Sequence, residues 1–199
     1  MFGVSYAHLT KIQKRIKTGH ELAGELWASG NHDARVLATM IADPGAATLA
    51  LINAWKKDLD NAVLTDAFSG FVAETSHARA RMEQWTRSKH EWAGRAGWLL
   101  LARLARTEKS PSDAQLTGYL RTIERDIHGS KNRVRDAMNS ALISIGARNA
   151  ALEKKAIAAA RKIGKVVVDH GETGCKTPDA EAYILKTRQR QRVRAAATG

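Results

Sequence analysis

Apolar side chains recur at helical spacing along nearly the whole chain, and very little interrupts them. Only three prolines occur in the 199 residues. Near the N-terminus, Leu9, Ile12 and Ile16 fall at i, i+3 and i+7, so they share one face of a helix. The one β-like run, residues 165–168, is too short to found a sheet. The sequence therefore predicts an all-α fold.

Residues that cap helices divide this pattern into short segments. Asn31 and Asn149 each precede an apolar periodic run and are predicted N-caps. Ser88 and Glu91 have the Ser-x-x-Glu spacing of a capping box, which predicts a helix start between them. Gly164 is predicted to end the helix that Asn149 begins. These breaks favour many short helices over a few long ones.

An arginine recurs at a corresponding position in three of the predicted helices, as Arg35, Arg95 and Arg135. The third helix continues through residues 134–146 with an apolar spacing close to the second helix of HEAT-type repeats. Asp66 takes the corresponding position between Arg35 and Arg95. This self-similarity predicts a right-handed α-solenoid of HEAT-like helical repeats with a concave basic face. An ordinary helical bundle with coincidental arginines is the alternative.

The charge of the chain is strongly positive and unevenly distributed. Lys and Arg number 32 against 20 Asp and Glu, a net charge of +12. Residues 1–99 hold 12 cations and 10 acids, whereas residues 100–199 hold 20 and 10. Such an excess favours a polyanionic partner, with nucleic acid first and an anionic membrane second. The candidate phosphate contacts are Arg35, Arg95, Arg133, Arg135 and Arg148. For each of them singly, a solvated helix face is the alternative.

Several classes of protein are excluded or disfavoured. No run of 18 apolar residues is present, and the first residues lack the apolar core of a signal peptide. We therefore expect no membrane span and a cytoplasmic location. The single cysteine, Cys175, excludes an intrachain disulfide and a Cys-based zinc finger. His170 with Cys175 is one weak metal-ligand spacing, and no glycine-rich phosphate loop occurs. We expect neither a metal nor a cofactor.

One acid, Asp66, lies within a mostly apolar helical stretch, where the neighbouring repeats carry arginine. Two interpretations are open. Asp66 is an ion-pair partner of Arg95, or its carboxylate stabilises a cationic sugar, or orients a water molecule, as a glycosidic bond breaks. The residues alone favour the ion pair.

Two segments near the C-terminus are rich in polar residues. Residues 169–179 lead into a helix start after Thr177 that could bind an anion, although turn and cap chemistry explains them without a ligand. Residues 188–199 carry alternate arginines without an apolar stripe, which predicts a basic, disordered tail able to contact phosphate. A single repeat domain is therefore expected over residues 1–187.

Four segments, at residues 26–35, 55–66, 92–98 and 134–142, resemble the DNA alkylation repair family of HEAT-like repeat proteins, the AlkD-like glycosylases. They keep the family's order and approximate spacing, and the resemblance extends from about Phe2 to Thr187. The resemblance implies a concave cleft that holds duplex DNA. It also implies an enzyme that hydrolyses the N-glycosidic bond of N3- or N7-alkylated purines. Residue by residue, it implies that Asp66 is the catalytic aspartate, aimed at the deoxyribose of the damaged nucleotide, and that Arg95 is the phosphate-binding arginine.

The chain departs from the family at two cleft tryptophans, whose positions are occupied here by Ala62 and Ser140. This departure is compatible with a divergent subfamily that binds DNA, or another nucleic acid, with little or no glycosylase activity. A catalytically inactive scaffold that binds nucleic acid or an acidic protein is the alternative to an enzyme. Family members usually carry further helices before the segment that corresponds to Phe2, so we expect this chain to begin partway into the family's fold. Alkylated double-stranded DNA is the expected partner, bound by a monomer.

Overall fold

A computed structural model describes residues 3–108 and 110–197. Within these ranges the chain forms eleven α-helices and no strand, which confirms the predicted all-α class. Phe2, where we expect the chain to begin partway into the family's fold, lies outside the described residues. The helices are α1 (Tyr6–Ile16), α2 (His20–Ala28), α3 (His32–Ile41), α4 (Leu49–Lys57), α5 (Ala62–Glu74), α6 (Ala78–Trp85), α7 (Glu91–Leu104), α8 (Asp113–Asp126), α9 (Asn132–Gly146), α10 (Ala150–Ile163) and α11 (Ala180–Ala197).

Two of the predicted helix caps are present, and both are asparagines. The side chain of Asn31 accepts a hydrogen bond from the backbone N–H of Ala34, and that of Asn149 accepts one from Leu152. Each satisfies a peptide donor that the first helical turn leaves without a partner. Gly164 ends α10 with a positive φ of 67°, a conformation that glycine adopts without steric cost.

The predicted capping box at Ser88 and Glu91 is wrong. α7 begins after His90, which makes no side-chain cap. The carboxylate of Glu91 accepts a hydrogen bond of 2.7 Å from the backbone N–H of Arg133, in the first turn of α9. An acid at a helix N-terminus is favoured by the helix dipole. Glu91 therefore caps a neighbouring helix instead of its own, which local sequence spacing does not reveal.

The helices form two layers with alternating membership. In one layer, which we call the odd layer, α1 packs against α3, α3 against α5, α5 against α7, α7 against α9, and α9 against α11. On its other side, α2 packs against α3, α6 against α7, and α8 against α9, while α10 packs against α8, α9 and α11. Stacked helix pairs whose contacts are mainly with neighbouring pairs are the arrangement of an α-solenoid.

Aromatic rings join the first repeats, and a glycine allows a close contact in the middle of the chain. The rings of Trp27 and Trp55 stack with centroids 4.2 Å apart, and Phe68 packs on Trp27 at 6.2 Å. A Cβ atom at Gly97 of α7 would clash with the backbone at Trp85, at the end of α6. Only glycine therefore permits α6 and α7 to approach this closely.

The last helix includes most of the segment that we predicted as a disordered tail, residues 188–199. α11 continues through Ala197, and the final two residues lie outside the described part. The anchor is Glu153 of α10, which is buried and accepts hydrogen bonds from Arg188 at 3.0 Å and Arg192 at 2.7 Å. This part of the helix has no apolar stripe, and an ionic contact holds it in place instead.

Candidate functional site

One buried guanidinium connects three consecutive helices of the odd layer. Arg95 of α7 donates from Nε to Asp66 Oδ1 at 2.8 Å and from Nη2 to Asp66 Oδ2 at 3.0 Å. It therefore binds this α5 carboxylate in a bidentate geometry. Its Nη1 donates to Asp136 Oδ2 of α9 at 2.7 Å and to the carbonyl of Arg133 at 3.2 Å. The ion pair between Asp66 and Arg95 is therefore present, and Asp136 is a further partner that the sequence did not indicate.

Burial differs sharply among the three charged groups. The side chain of Arg95 is 6% exposed, that of Asp136 18%, and that of Asp66 44%. Burial lowers the pKa of Arg95, but the hydrogen bonds and charges of Asp66 and Asp136 outweigh it and raise the pKa above its ordinary value. Arg95 is therefore a permanently charged group inside the fold, and Asp66 is the member of the cluster that meets solvent.

Asp66 lines an open hollow of about 310 Å³ between α1, α3, α5 and α7. Arg103 of α7 packs over Gly70 on one side, and its Nη2 lies 3.4 Å from the carbonyl oxygen of Asp66. Tyr6 of α1 lines the same hollow and is half exposed. Burial raises the pKa of Tyr6, the charge of Asp66 raises it further, and the charge of Arg103 opposes both. The sequence did not single out Tyr6, which opens α1 without a recognisable motif.

Arg103 also lines a second hollow, of about 660 Å³, together with Arg106 of α7 and Ser144 of α9. The two hollows share this arginine, and two acids, Glu74 and Glu108, also line the second one. We call the surface lined by Tyr6, Asp66, Arg103, Arg106 and Ser144 the Asp66 face. Both arginines are exposed, and Arg106 has no salt bridge or side-chain hydrogen bond with any other described residue.

Two of the arginines predicted to contact phosphate hold backbone turns in place. Arg35 donates to the carbonyl of Trp27 at 3.2 Å, and it lies 3.3 Å from the carboxylate of Asp58. Arg148 donates to the carbonyl of Ala105 at 3.0 Å and also to that of Thr107. These contacts connect each arginine to an adjacent helix end.

Arg135 also holds backbone carbonyls, whereas Arg133 does not. Arg135 donates to the carbonyls of His128, Ser130 and Val167, so it fixes the extended segment between α10 and α11 against the start of α9. The side chain of Arg133 is half-buried and has no hydrogen bond or salt bridge to another described residue. Of the five predicted arginines, Arg133 is thus the one whose guanidinium is uncommitted within the described part of the chain.

The two positions at which the family resemblance implies tryptophans lie beside the charged cluster. Ala62 is the first residue of α5, four residues before Asp66, and Ser140 follows Asp136 by four residues on α9. Residues four apart share a helix face. Two aromatic side chains line the Asp66 hollow: the half-exposed Tyr6, from α1, and the buried Phe71, from α5.

Polar side chains of residues 169–179 form hydrogen bonds within this segment and at the start of α11. His170 Nε2 lies 2.9 Å from the hydroxyl oxygen of Thr177, and the carboxylate of Asp179 accepts from the backbone N–H of Ala182 in α11. In the described part of the chain, no group of three His, Cys, Asp or Glu side chains is placed to hold a metal ion. None of the described helices is both long and apolar enough to cross a membrane.

A HEAT-like repeat protein with a carboxylate–guanidinium pair on one face is the class that this fold and site define. Residues 1–184 match the family described as DNA alkylation repair enzyme, and the chain belongs to that family.

Three similar proteins span almost the whole chain. The uncharacterized proteins Lin0241 of Listeria innocua and Lmo0209 of Listeria monocytogenes are each 30% identical over 194 residues, which is 96% of this chain and 84% of each relative. A solved structure superposes with a TM-score of 0.86 at 30% identity, covering 96% of this chain and 83% of that one. It is described as a new family of proteins related to the HEAT-like repeat DNA glycosylases with affinity for branched DNA structures. The predicted HEAT-like fold is confirmed.

Proposed function

We propose that this protein binds DNA on the Asp66 face and binds branched DNA more tightly than a linear duplex. The observation that carries the proposal is the match, at a TM-score of 0.86 and 30% identity, to a structure from a family described as having affinity for branched DNA. The net charge of +12 supports it, because neutralising phosphates supplies most of the affinity in sequence-independent binding.

The phosphate contacts that we propose are Arg103, Arg106 and Arg133. All three have side chains at least partly exposed, and none has a carboxylate partner among the described residues. Arg103 makes one hydrogen bond of 3.4 Å, to the carbonyl of Asp66. Arg35, Arg135 and Arg148 have shorter bonds to backbone carbonyls, of 3.2, 3.0 and 3.0 Å, which would break if these side chains moved onto phosphate. We propose that these three shape the binding surface without making its principal contacts.

Arg95 has a different role in this proposal. Its guanidinium is almost fully buried and its donors are directed at Asp66, Asp136 and a carbonyl. We propose that it positions Asp66 instead of meeting phosphate directly.

A binding titration with two DNA substrates tests the proposal. Binding of a four-way junction and of a linear duplex of matched length is measured across a range of salt concentrations. The double variant Arg103→Gln/Arg106→Gln is expected to lower the slope of log K against log salt by about 1.8, at 0.9 per lost phosphate contact. The control variant is Arg121→Gln/Lys154→Gln, which removes two exposed charges from α8 and α10. Absence of DNA binding by the wild type at low salt refutes the proposal.

Excision of alkylated bases is a second candidate function, favoured by the exposure of Asp66. The family resemblance implies that N3- or N7-alkylated purines are the substrates, and these bases carry a positive charge. When the glycosidic bond breaks, its electron pair neutralises the purine, positive charge develops on the sugar, and water adds to C1′ with loss of a proton. A half-exposed carboxylate held rigidly by Arg95 is suited to stabilise that charge.

An excision assay tests this second candidate. Duplex DNA containing 7-methylguanine is incubated with the wild type, Asp66→Asn and Asp136→Asn. Both substitutions remove one carboxylate from Arg95, but only Asp66 lines the hollow. We expect Asp66→Asn to abolish base release without changing duplex binding, and Asp136→Asn to retain measurable release. Equal release by the wild type and Asp66→Asn rules out the catalytic role.

A further inference from the structure

A cationic hollow of about 770 Å³ lies outside the Asp66 face, between the loop that joins α6 to α7 and the loop that joins α8 to α9. Its lining includes one acid, Asp126, and four cations. The cations are Arg87, Lys89, Arg125 and Lys131. We call this hollow the Lys89 site.

Helix geometry places the Lys89 site on the opposite side of α9 from the Asp66 face. Val134 and Met138 of α9 line the Lys89 site, whereas Asp136 joins the Asp66 cluster. Ser144, which lines the Asp66 face, lies two full four-residue steps after Asp136. Residues two apart in an α-helix point about 200° apart, because each residue turns the helix by about 100°. Val134 and Asp136 therefore face nearly opposite directions.

Three of the four cations in the Lys89 site are available to a ligand. Arg125 is held by Asp126 through two hydrogen bonds of 2.7 Å, so this pair is neutral overall. Arg87, Lys89 and Lys131 have no salt bridge or side-chain hydrogen bond with other described residues. The site therefore holds an uncompensated positive charge.

The backbone at the Lys89 site also favours an anion. α7 and α9 both begin here. His90 provides no side-chain hydrogen bond to α7, whereas the carboxylate of Glu91 already accepts from the backbone N–H of Arg133 at the start of α9. Helix starts carry partial positive charge and N–H donors. The hydroxyl of Ser88, in the lining, is a further group that can donate to an oxygen ligand.

We propose that the Lys89 site binds the phosphate backbone of a second arm of branched DNA while the first arm lies on the Asp66 face. This inference rests on the proposed DNA-binding function. A straight duplex on the Asp66 face leaves the opposite side of α9 uncovered, but the arms of a junction diverge and reach two separate surfaces. Binding of the first arm raises the effective concentration of the second at the Lys89 site, which favours branched over linear DNA.

The test compares a triple variant, Arg87→Gln/Lys89→Gln/Lys131→Gln, with the wild type on a four-way junction and on a linear duplex. We expect affinity for the junction to fall about 10-fold or more, and the slope of log K against log salt to decrease by about 2.7. Affinity for the duplex is expected to fall much less than affinity for the junction, by about 3-fold at most. Arg87 and Lys89 belong to the loop before α7, and only Lys131 lies near a contact proposed for the first arm, Arg133.

The matched control removes three exposed charges from other helices, as Lys57→Gln/Arg121→Gln/Lys154→Gln. It is expected to leave both affinities within about 2-fold of the wild type, because distant surface charges are screened at physiological salt. Unchanged junction binding by the Lys89-site variant, or an equal loss on junction and duplex, overturns the inference and leaves the proposed function standing. A wild type that binds no DNA refutes the proposed function, and the inference with it.

Discussion

Replacing Arg95 by methionine removes a cation that joins α5, α7 and α9. The side chain is 6% exposed and makes four hydrogen bonds, to Asp66, to Asp136 and to the carbonyl of Arg133. Removing one partner of a buried ion pair costs about 3–5 kcal/mol, because the remaining charge is left uncompensated. Asp66 is 44% exposed and can regain hydration, so we expect a cost near the lower end, about 3 kcal/mol.

The matched comparison is Asp66→Asn. This variant leaves Arg95 paired with Asp136 at 2.7 Å, and the lost partner is half exposed. Because Asp136 still compensates the charge of Arg95, no buried charge is left alone, and the loss in the free energy of unfolding is expected to be about 1 kcal/mol or less, as for an exposed ion pair. Asp66 would then be the member of the cluster that stability does not require, which is the property expected of a functional residue.

Urea unfolding at neutral pH measures both effects, with an unchanged m-value as the check that the compactness of the unfolded state is the same. The reasoning is refuted if Asp66→Asn destabilises the protein as much as Arg95→Met, because Asp66 would then be a structural ion-pair partner. If Arg95→Met lowers the free energy of unfolding by less than about 1 kcal/mol, the reasoning is also refuted, since the buried ion pairs of Arg95 would then not stabilise the fold.

Three further predictions concern other parts of the molecule. Gly97→Ala should destabilise the protein by about 1–3 kcal/mol, because its Cβ meets the backbone after α6, whereas Gly118→Ala in open space on α8 should stabilise it by about 0.5–1 kcal/mol in the same urea titration. Asp66→Asn should lower the pKa of Tyr6, measured by a tyrosinate absorbance titration with Tyr6→Phe as the correction; an unchanged pKa contradicts the geometry. Because the pKa of Tyr6 is raised in the folded state, the protonated phenol stabilises the fold, and this stabilisation is lost as the pH rises through the folded-state pKa. Glu153→Gln should reduce amide-exchange protection in the C-terminal half of α11 and not in its N-terminal half; equal protection in both proteins would show that the arginine contacts do not hold the helix.

The sequence predicted helices, their approximate bounds and the repeat architecture, because these depend on local periodicity and caps. Asn31 and Asn149 bond to donors three residues away, within reach of any pattern search. It did not predict contacts between repeats. Glu91 has the spacing of a local cap but binds Arg133, 42 residues later, and Glu153 anchors a helix 35 residues further along. Such pairings depend on how the repeats stack.

The same distinction applies to the candidate site. Asp66 and Arg95 could be selected because the repeat pattern gave them corresponding positions. Asp136 and Tyr6 could not, since their relation to Asp66 exists only after α1, α5 and α9 are packed together. The excess of positive charge was visible in composition, but most of the arginines selected from it prove to hold backbone carbonyls. Composition reports how many cations are present and not which of them remain free.

The charged cluster also limits how DNA can lie on the Asp66 face. Arg95 is shared by two carboxylates, so the cluster carries a net negative charge where Asp66 meets solvent. A phosphate is repelled at that point, whereas a cationic base or a sugar that develops positive charge is attracted. In the proposed complex, phosphates would therefore lie away from Asp66, at the contacts proposed for Arg103, Arg106 and Arg133. That complex would place a sugar, and not a phosphate, beside Asp66.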